Sequence, residues 1–447
     1  MELHKNLISV SWNHRHRLLK EFNDRQNGIF SCHHTVLALR VTGSLDIDAL
    51  RKTWDELQLR HSVLLTGMDV HTMRWNTTPV EPAPLEILPT LVRDDSMNAV
   101  KVEDAAKKVL LEAARKPFDI ENGPLSRMVL LPTGGPTYLA IISEHLVSDG
   151  WSRGVVFDEL VKIYTAKMAK VHLSLPVIEY PFDAYVQDQN NFLQSPEGMK
   201  ERARVASLAA PYGAPPVLSI ADFNGRKNIR NDQIGRVGAN LEPDLYKRLL
   251  PTARAHRISR LSLVLAASFS ALEEVSGKSI IAATMSLANR ANPALRNTVG
   301  WVADDVLLIA EPRGLRDVDT YLSHWRGQVL EAMNNSRVPW PTLMNDVSPE
   351  SFGKNYDKPF ISFVAESQKL RDAFRPRSVY DAHFVEIPIT IAASDPIDCY
   401  ISEDGDNLSL EVLYRAEWFT RSGIFDFIGQ VKNKLERISG SQHISHL

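Results

Sequence analysis

The feature that most constrains this chain is a periodicity that keeps switching between two values. Short β-branched runs suited to strands alternate with longer amphipathic runs suited to helices. VLALRVTG (36–43) reads as a strand. SLDIDALRKTWDELQLRHSVLL reads as the helix after it, with Leu50, Trp54 and Leu57 on a buried stripe and Ser44 or Asp46 as the cap. TYLAIISEH (137–145) has the β-branched and aromatic content of a central strand. A helix opened by the Ser152 hydroxyl follows, carrying Val155, Val156, Leu160, Ile163 and Tyr164. Interleaving of this kind indicates an α/β or α+β body with mixed sheets.

Between about 187 and 235 the pattern loosens, through QDQNNFLQSPEG, AAPYGAPP and FNGRKNIRNDQ, where one lobe is expected to hand over to another. Helices resume with LEPDLYKRLLPTARAHR and LSLVLAASFSALEEVSG. The strand-like IIAATMSLANR comes next, then a second strand in the latter half of VGWVADDVLLIAE. A helix around 317–333 places Tyr321, Trp325 and Val329 on one face. A last helix, 420–438, is expected to bury Phe425, Ile428, Val431 and Leu435. No internal repeat and no low-complexity tract interrupts this order.

Composition narrows the functional classes. The 447 residues are 44% apolar and 23% charged, as in a soluble globular protein. A formal charge of −3 argues against nucleic acid as the main partner. No stretch reaches the roughly 18 apolar residues that a membrane span needs, and the first twenty residues lack a signal-peptide core. The cytoplasm is the expected location. Cys32 and Cys399 have no metal-type spacing and read as free buried thiols.

IISEHLVSDGWS (141–152) holds the densest polar chemistry. In an extended strand Leu139, Ile141, Ser143 and His145 share one face, and Ala140, Ile142 and Glu144 the other. His145 and Glu144 therefore look in opposite directions. Asp149 and Gly150 follow the strand, where glycine permits a tight turn into the next helix. From these residues alone, His145 is either a base at a strand end or a histidine satisfied by the fold. NHRHR (13–17) reads as a solvated basic face, and CHH (32–34) alternates sides, so no metal site is expected. No GxSxG, P-loop, Rossmann fingerprint or HExxH occurs.

An ordered set of segments resembles the condensation domains of nonribosomal peptide synthetases, within the chloramphenicol-acetyltransferase-like superfamily. EHLVSDG resembles HHxxxDG, with His145 on the second histidine, Asp149 on the aspartate, Gly150 on the glycine, and Glu144 replacing the first histidine. LRHSVLLT (59–66), KPFDIENGPLSRMVL (116–130) and YPFDAYVQ (180–187) resemble further family blocks, with Leu65 where arginine is common. In SLANRANPALRNTVGWVADDVLLI (286–309), Arg290 takes the family's arginine, Asn289 the usual glycine and Asp304 the usual asparagine. SRVPWPTLMNDV (336–347) and LSLEVLYRAEWF (408–419) resemble the later blocks, so the likeness runs from about residue 25 onward.

The resemblance implies two chloramphenicol-acetyltransferase-like lobes in a V-shaped pseudodimer, 1–180 and 181–447, with His145 in a central tunnel. It implies an acyltransferase that joins an acyl or aminoacyl donor to an amine, in nonribosomal peptide, antibiotic or other secondary-metabolite synthesis. The donor would be a thioester on the phosphopantetheine of an acyl or peptidyl carrier protein. Coenzyme A as donor, an alcohol as acceptor, and an inactive recruitment module are the alternatives. No permanently bound cofactor, no metal, no membrane and no nucleic acid enters this reading, and a monomer is the expected state. His145 is the implied base and the Gly150 N–H a candidate oxyanion donor. Asp149 would pair with Arg290, and Asp119 with Arg127, as structural clamps. Ser143, Ser148, Trp151 and Asp304 are candidates for the tunnel wall. Asp304 would add a negative charge that favours a cationic acceptor or faces water.

Overall fold

The computed structural model describes residues 7–26, 33–91, 98–214, 216, 218, 234–311, 318–354, 360–366, 381–385, 396–404, 407–416 and 418–440. Cys32 lies outside these residues, as does the stretch FNGRKNIRNDQ. The chain forms two compact units. The first comprises Met1–Phe192, Ala288–Ala303 and Asp372–Ile391, and the second Leu193–Leu287, Asp304–Arg371 and Ala392–Leu447. Against the single division expected at residue 180, two later stretches belong to the first unit. Their bonding gives the reason: each satisfies polar groups that the earlier chain leaves open.

In the first unit, β1 (Leu7–Ser9) and α1 (Trp12–Gln26) precede β2 (His34–Thr42) and α2 (Ile47–Arg60). Then come β3 (Gly67–Asp69), β4 (Arg74–Asn76), β5 (Glu86–Ile87), α3 (Ala99–Arg115), β6 (Ser126–Leu131), β7 (Thr137–Glu144), α4 (Gly150–Ala169) and α5 (Phe182–Gln194). The main sheet runs β12-β2-β7-β6-β5, its edge strand β12 being Asp381–Phe384. β12 pairs antiparallel with β2, from Asp381 opposite Thr42 to Phe384 opposite Leu39, and so covers the outer edge of β2. Strand alternation along β7 holds. Leu139 and Ile141 pack with Trp54, Leu57 and Leu160, whereas Ala140 and Ile142 pack with Ala106 and Leu110 of α3.

In the second unit α6 (Pro196–Ala209) is followed by β8 (Ile234–Leu241), α7 (Pro243–His256), α8 (Arg260–Ser276), β9 (Ile281–Leu287) and β10 (Asp304–Ala310). After them come α9 (Val318–Asn334), α10 (Trp340–Val347), β11 (Ile361–Glu366), β13 (Ile397–Asp404), β14 (Asn407–Arg415) and the helix Arg421–Gly440. Its sheet runs β10-β9-β11-β13-β14-β8 and is mixed, with β11 parallel to both β9 and β13.

Three local expectations change. The segment from residue 187 is helical, because Ser195 caps α6 through the Gly198 N–H and Pro196 occupies its first turn. Asp149, not Ser152, caps α4: its carboxylate accepts the Ser152 N–H at 2.8 Å. In the last helix Phe425 is exposed and Ile424 and Phe427 are buried instead, beside Ile428, Val431 and Leu435. Asp46 caps α2 as expected.

Candidate active site

The turn after β7 carries the site. β7 ends at Glu144, and His145 opens a short 3₁₀ turn that leads to Asp149 at the start of α4. The His145 N–H donates to the His33 carbonyl at 2.9 Å, and the Ser148 N–H donates back to the His145 carbonyl at 3.3 Å. These bonds fix the main chain on both sides of the ring. The side chain is half-buried, with Nδ1 enclosed and without a hydrogen-bond partner among the described residues, and its ring meets the edge of Trp301 at 4.6 Å between centroids. Burial lowers the His145 pKa against the opposing pull of the Asp149 and Glu144 charges. The imidazole is therefore neutral near pH 7, the state a proton acceptor requires.

Asp149 does not orient that ring. Its carboxylate takes both arms of Arg290, at 2.8 and 3.2 Å, and the Ser152 hydroxyl at 2.8 Å. It also takes the N–H groups of Val302 and Ala303, at 3.0 and 2.9 Å. Burial pushes its pKa up, but Arg290 and these donors outweigh that and hold it below the usual value. The expected pairing with Arg290 is present. The same guanidinium reaches the carbonyls of Ala288, Thr298 and Gly300, so the 288–303 stretch closes around the turn. Glycine is required at Gly300, where φ is +150° and a Cβ would lie 2.3 Å from the Phe182 ring.

The second expected clamp is absent. Asp119 accepts the N–H groups of Glu121 and Asn122 and the Asn122 amide, which is a local turn. Arg127 instead donates to the carbonyls of Lys116 and Pro117 and lies over the Phe118 ring at 4.1 Å. A carboxylate two and three residues before free N–H groups is captured by its own turn.

Gly150 is exposed at the first helical position of α4, and a Cβ there would meet only the Arg153 guanidinium, at 3.7 Å. Ser143 and Ser148 are buried, and the half-buried Trp151 donates from Nε1 to the Arg296 carbonyl at 2.9 Å. Asp304 belongs to the second unit and does not face water. It is buried, and its Oδ1 accepts the Asp305 N–H at 2.8 Å and the Trp340 N–H at 3.3 Å, at the start of α10.

Sequence reasoning missed what lies behind Glu144. NHRHR is no solvated face: His14 and Arg17 are buried on α1. Arg17 reaches the Glu144 carboxylate at 3.5 Å and Glu21 at 2.6 Å, and His34 Nε2 reaches Glu144 at 3.3 Å. Burial raises the Glu144 pKa, but the His34 hydrogen bond and the Arg17 charge outweigh it, so the carboxylate stays ionised. The recoverable signal was the spacing of His14, Arg17, Leu18 and Glu21, an i, i+3, i+4, i+7 face. Among the described residues no cluster of side chains is arranged to hold a metal, and no helix is long and apolar enough to cross a membrane.

The family model of the condensation domain matches residues 17–444. The chain belongs to the condensation-domain family. Malpinin synthetase of Mortierella alpina is 24% identical over 323 residues, which cover 72% of this chain and 4% of that protein. Cyclosporin synthetase simA of Tolypocladium inflatum is 23% identical over 414 residues, 90% of this chain and 3% of that protein. This condensation-domain chain thus spans only a few per cent of those relatives' length. Among solved structures, the X-domain from teicoplanin biosynthesis is similar at a TM-score of 0.81 and 16% identity, covering 100% of this chain and 98% of that one. The condensation domain from Monacolin K polyketide synthase MokA follows at a TM-score of 0.78 and 17% identity, covering 98% of each. Together they establish the two-lobe chloramphenicol-acetyltransferase-like fold expected from the sequence.

Proposed function

We propose that this condensation domain is an amide-forming acyltransferase, with a carrier-bound phosphopantetheine thioester as donor and a small amine as acceptor. The observation that carries the reading is the neutral, half-buried His145, held on a turn fixed by its own main-chain bonds and by the Asp149–Arg290 pair. The amine nitrogen attacks the thioester carbonyl carbon; His145 accepts the N–H proton, the C–N bond forms, and the C–S bond breaks. The same proton then leaves with the phosphopantetheine thiol. The Gly150 N–H, at a helix N-terminus, is the candidate donor to the oxyanion. Membership of the family and a relative named Nonribosomal peptide synthetase kk1B, of Curvularia clavata, support the donor class.

The test is incubation of the purified protein with acyl and aminoacyl carrier thioesters and a panel of amines, with products followed by mass spectrometry. A His145-dependent amide is expected. His145→Ala lowers kcat by about 10² to 10⁴ while the protein stays folded. Absence of any His145-dependent product from the carrier proteins encoded beside this gene sinks the reading. Equal rates with soluble coenzyme A thioesters replace the carrier by coenzyme A, and ester products replace the amine by an alcohol.

A second reading, a non-catalytic recruitment module, is favoured by the likeness to the teicoplanin X-domain, which is also described in complex with OxyB. The replacement of the first motif histidine by Glu144 points the same way. That reading predicts no turnover and a stable complex with a separate protein of the pathway.

A further inference from the structure

We propose that His14 and Arg17 are positioning residues for the chemistry at His145: one helix, α1, holds the chain on both sides of that ring. The inference rests on the acyltransferase reading above and adds a mechanism by which the ring is placed and tuned. His14 Nε2 lies 2.7 Å from the carbonyl of Leu146, the residue after His145. Its Nδ1 takes the Ser11 N–H at 3.4 Å and lies 3.1 Å from the Ser11 hydroxyl. A carbonyl only accepts and that Nδ1 is accepting, so Nε2 carries the proton and donates. Three residues on along the same helix face, Arg17 meets the carboxylate of Glu144, the residue before His145. The two grips are on sequence neighbours 144 and 146, and the ring between them belongs to neither. Nothing in the HHxxxDG pattern accounts for this pairing, because a histidine at 144 would offer Arg17 no negative charge.

The charged and titratable groups that act electrostatically on His145 are Glu144 from β7, Asp149 from the start of α4, Arg17 and His14 from α1, and His33 ahead of β2. Asp149 is neutralised by Arg290. The pair that remains adjustable is Arg17 and Glu144, and its members act on the ring in opposite directions: the carboxylate favours imidazolium and the guanidinium disfavours it.

The test uses the ring's own titration and the rate profile together. Arg17→Met, Glu144→Gln and the double variant are prepared in ¹³C-histidine-labelled protein, with the His145 signal assigned by its loss in His145→Ala. Arg17→Met is expected to raise the pH at which His145 takes a proton, and Glu144→Gln to lower it. The double variant is expected to return near the wild-type value. The acid limb of the kcat profile should move with the titration. Turnover at the plateau should fall about tenfold to a hundredfold in Arg17→Met, with KM for the donor little changed, and recover in part in Arg17→Lys. His145 titrating alike in wild type, Glu144→Gln and the double variant overturns the proposal, even if Arg17→Met fails to fold. Opposed titration shifts without any turnover leave the positioning intact and sink the acyltransferase reading instead.

Discussion

Arg290 grips Asp149 with both arms of its guanidinium, at 2.8 and 3.2 Å, and both side chains are 1% exposed. A buried pair broken on one side leaves a charge without compensation. Asp149→Ala is therefore expected to lower stability by about 3–5 kcal/mol, read as the urea midpoint, and to lose activity with it. Asp149→Ala combined with Arg290→Met should lose less than the sum of the single changes. A variant at Asp149 that unfolds like wild type yet has no turnover would move Asp149 from the fold into the chemistry.

Gly150 separates the N–H from the side chain. It is the first helical residue of α4, where proline is tolerated, and Asp149 before it is extended, with φ −132° and ψ −175°. Gly150→Ala has room for its methyl group and keeps the N–H, so stability and rate should change little. Gly150→Pro removes the N–H and leaves the helix. A fall in kcat of about 10² to 10³ in that variant, with an unchanged melting temperature, is expected of an oxyanion donor. An unchanged kcat would take Gly150 out of the mechanism.

Restoring the family residue at 144 should harm this protein. Arg17 and His34 converge on the Glu144 carboxylate, and the three side chains are buried. Glu144→His puts a neutral or positive ring against them and leaves Arg17, among the described residues, the Glu21 carboxylate. A loss of stability is expected, on the order of 3 kcal/mol because one side of a buried ion pair is removed. Pairing it with Arg17→Leu should recover part of that loss. Thermal melts of the wild type and both variants decide the matter.

Acid should destabilise the protein before the carboxylates titrate. Burial lowers the pKa of His14 from 6.5 to about 4. The unfolded chain takes that proton near pH 6.5 and the folded one only near 4, so the unfolded state binds more protons in between. The stability that His14 contributes is fully present above pH 6.5 and is lost as the pH falls to about 4, roughly 3 kcal/mol in all. Asp149, Glu144 and Glu159, whose folded pKa values are lowered, add further loss as the pH drops below about 4. His16, His33 and His145 are lowered by burial as well and add to the same slope, so His14→Gln, whose amide can still donate to the Leu146 carbonyl, should make the stability curve less steep between pH 6.5 and 4. An unchanged slope in that variant would show that His14 does not carry this linkage.

Local order is legible in the sequence wherever neighbours in the chain decide the outcome. Period-2 alternation sorts the two faces of β7, the stripe Leu50, Trp54 and Leu57 marks the buried side of α2, and Asp46 caps it. The motif order places His145, Asp149 and Arg290 in one family, and the Asp149–Arg290 pair follows from that likeness. What the sequence does not show without that likeness is which polar side chain meets which distant one. His14 and Arg17 read as a solvated face because their partners, Leu146 and Glu144, lie 132 and 127 residues away. Asp119 and Arg127 read as a clamp within one short segment, yet Asp119 is held by the N–H groups of its own turn and Arg127 by the carbonyls of Lys116 and Pro117. Hydrophobic burial follows the spacing of apolar residues along one segment. Pairing of a buried charge depends on which segments the fold brings together, and only the tertiary structure decides that.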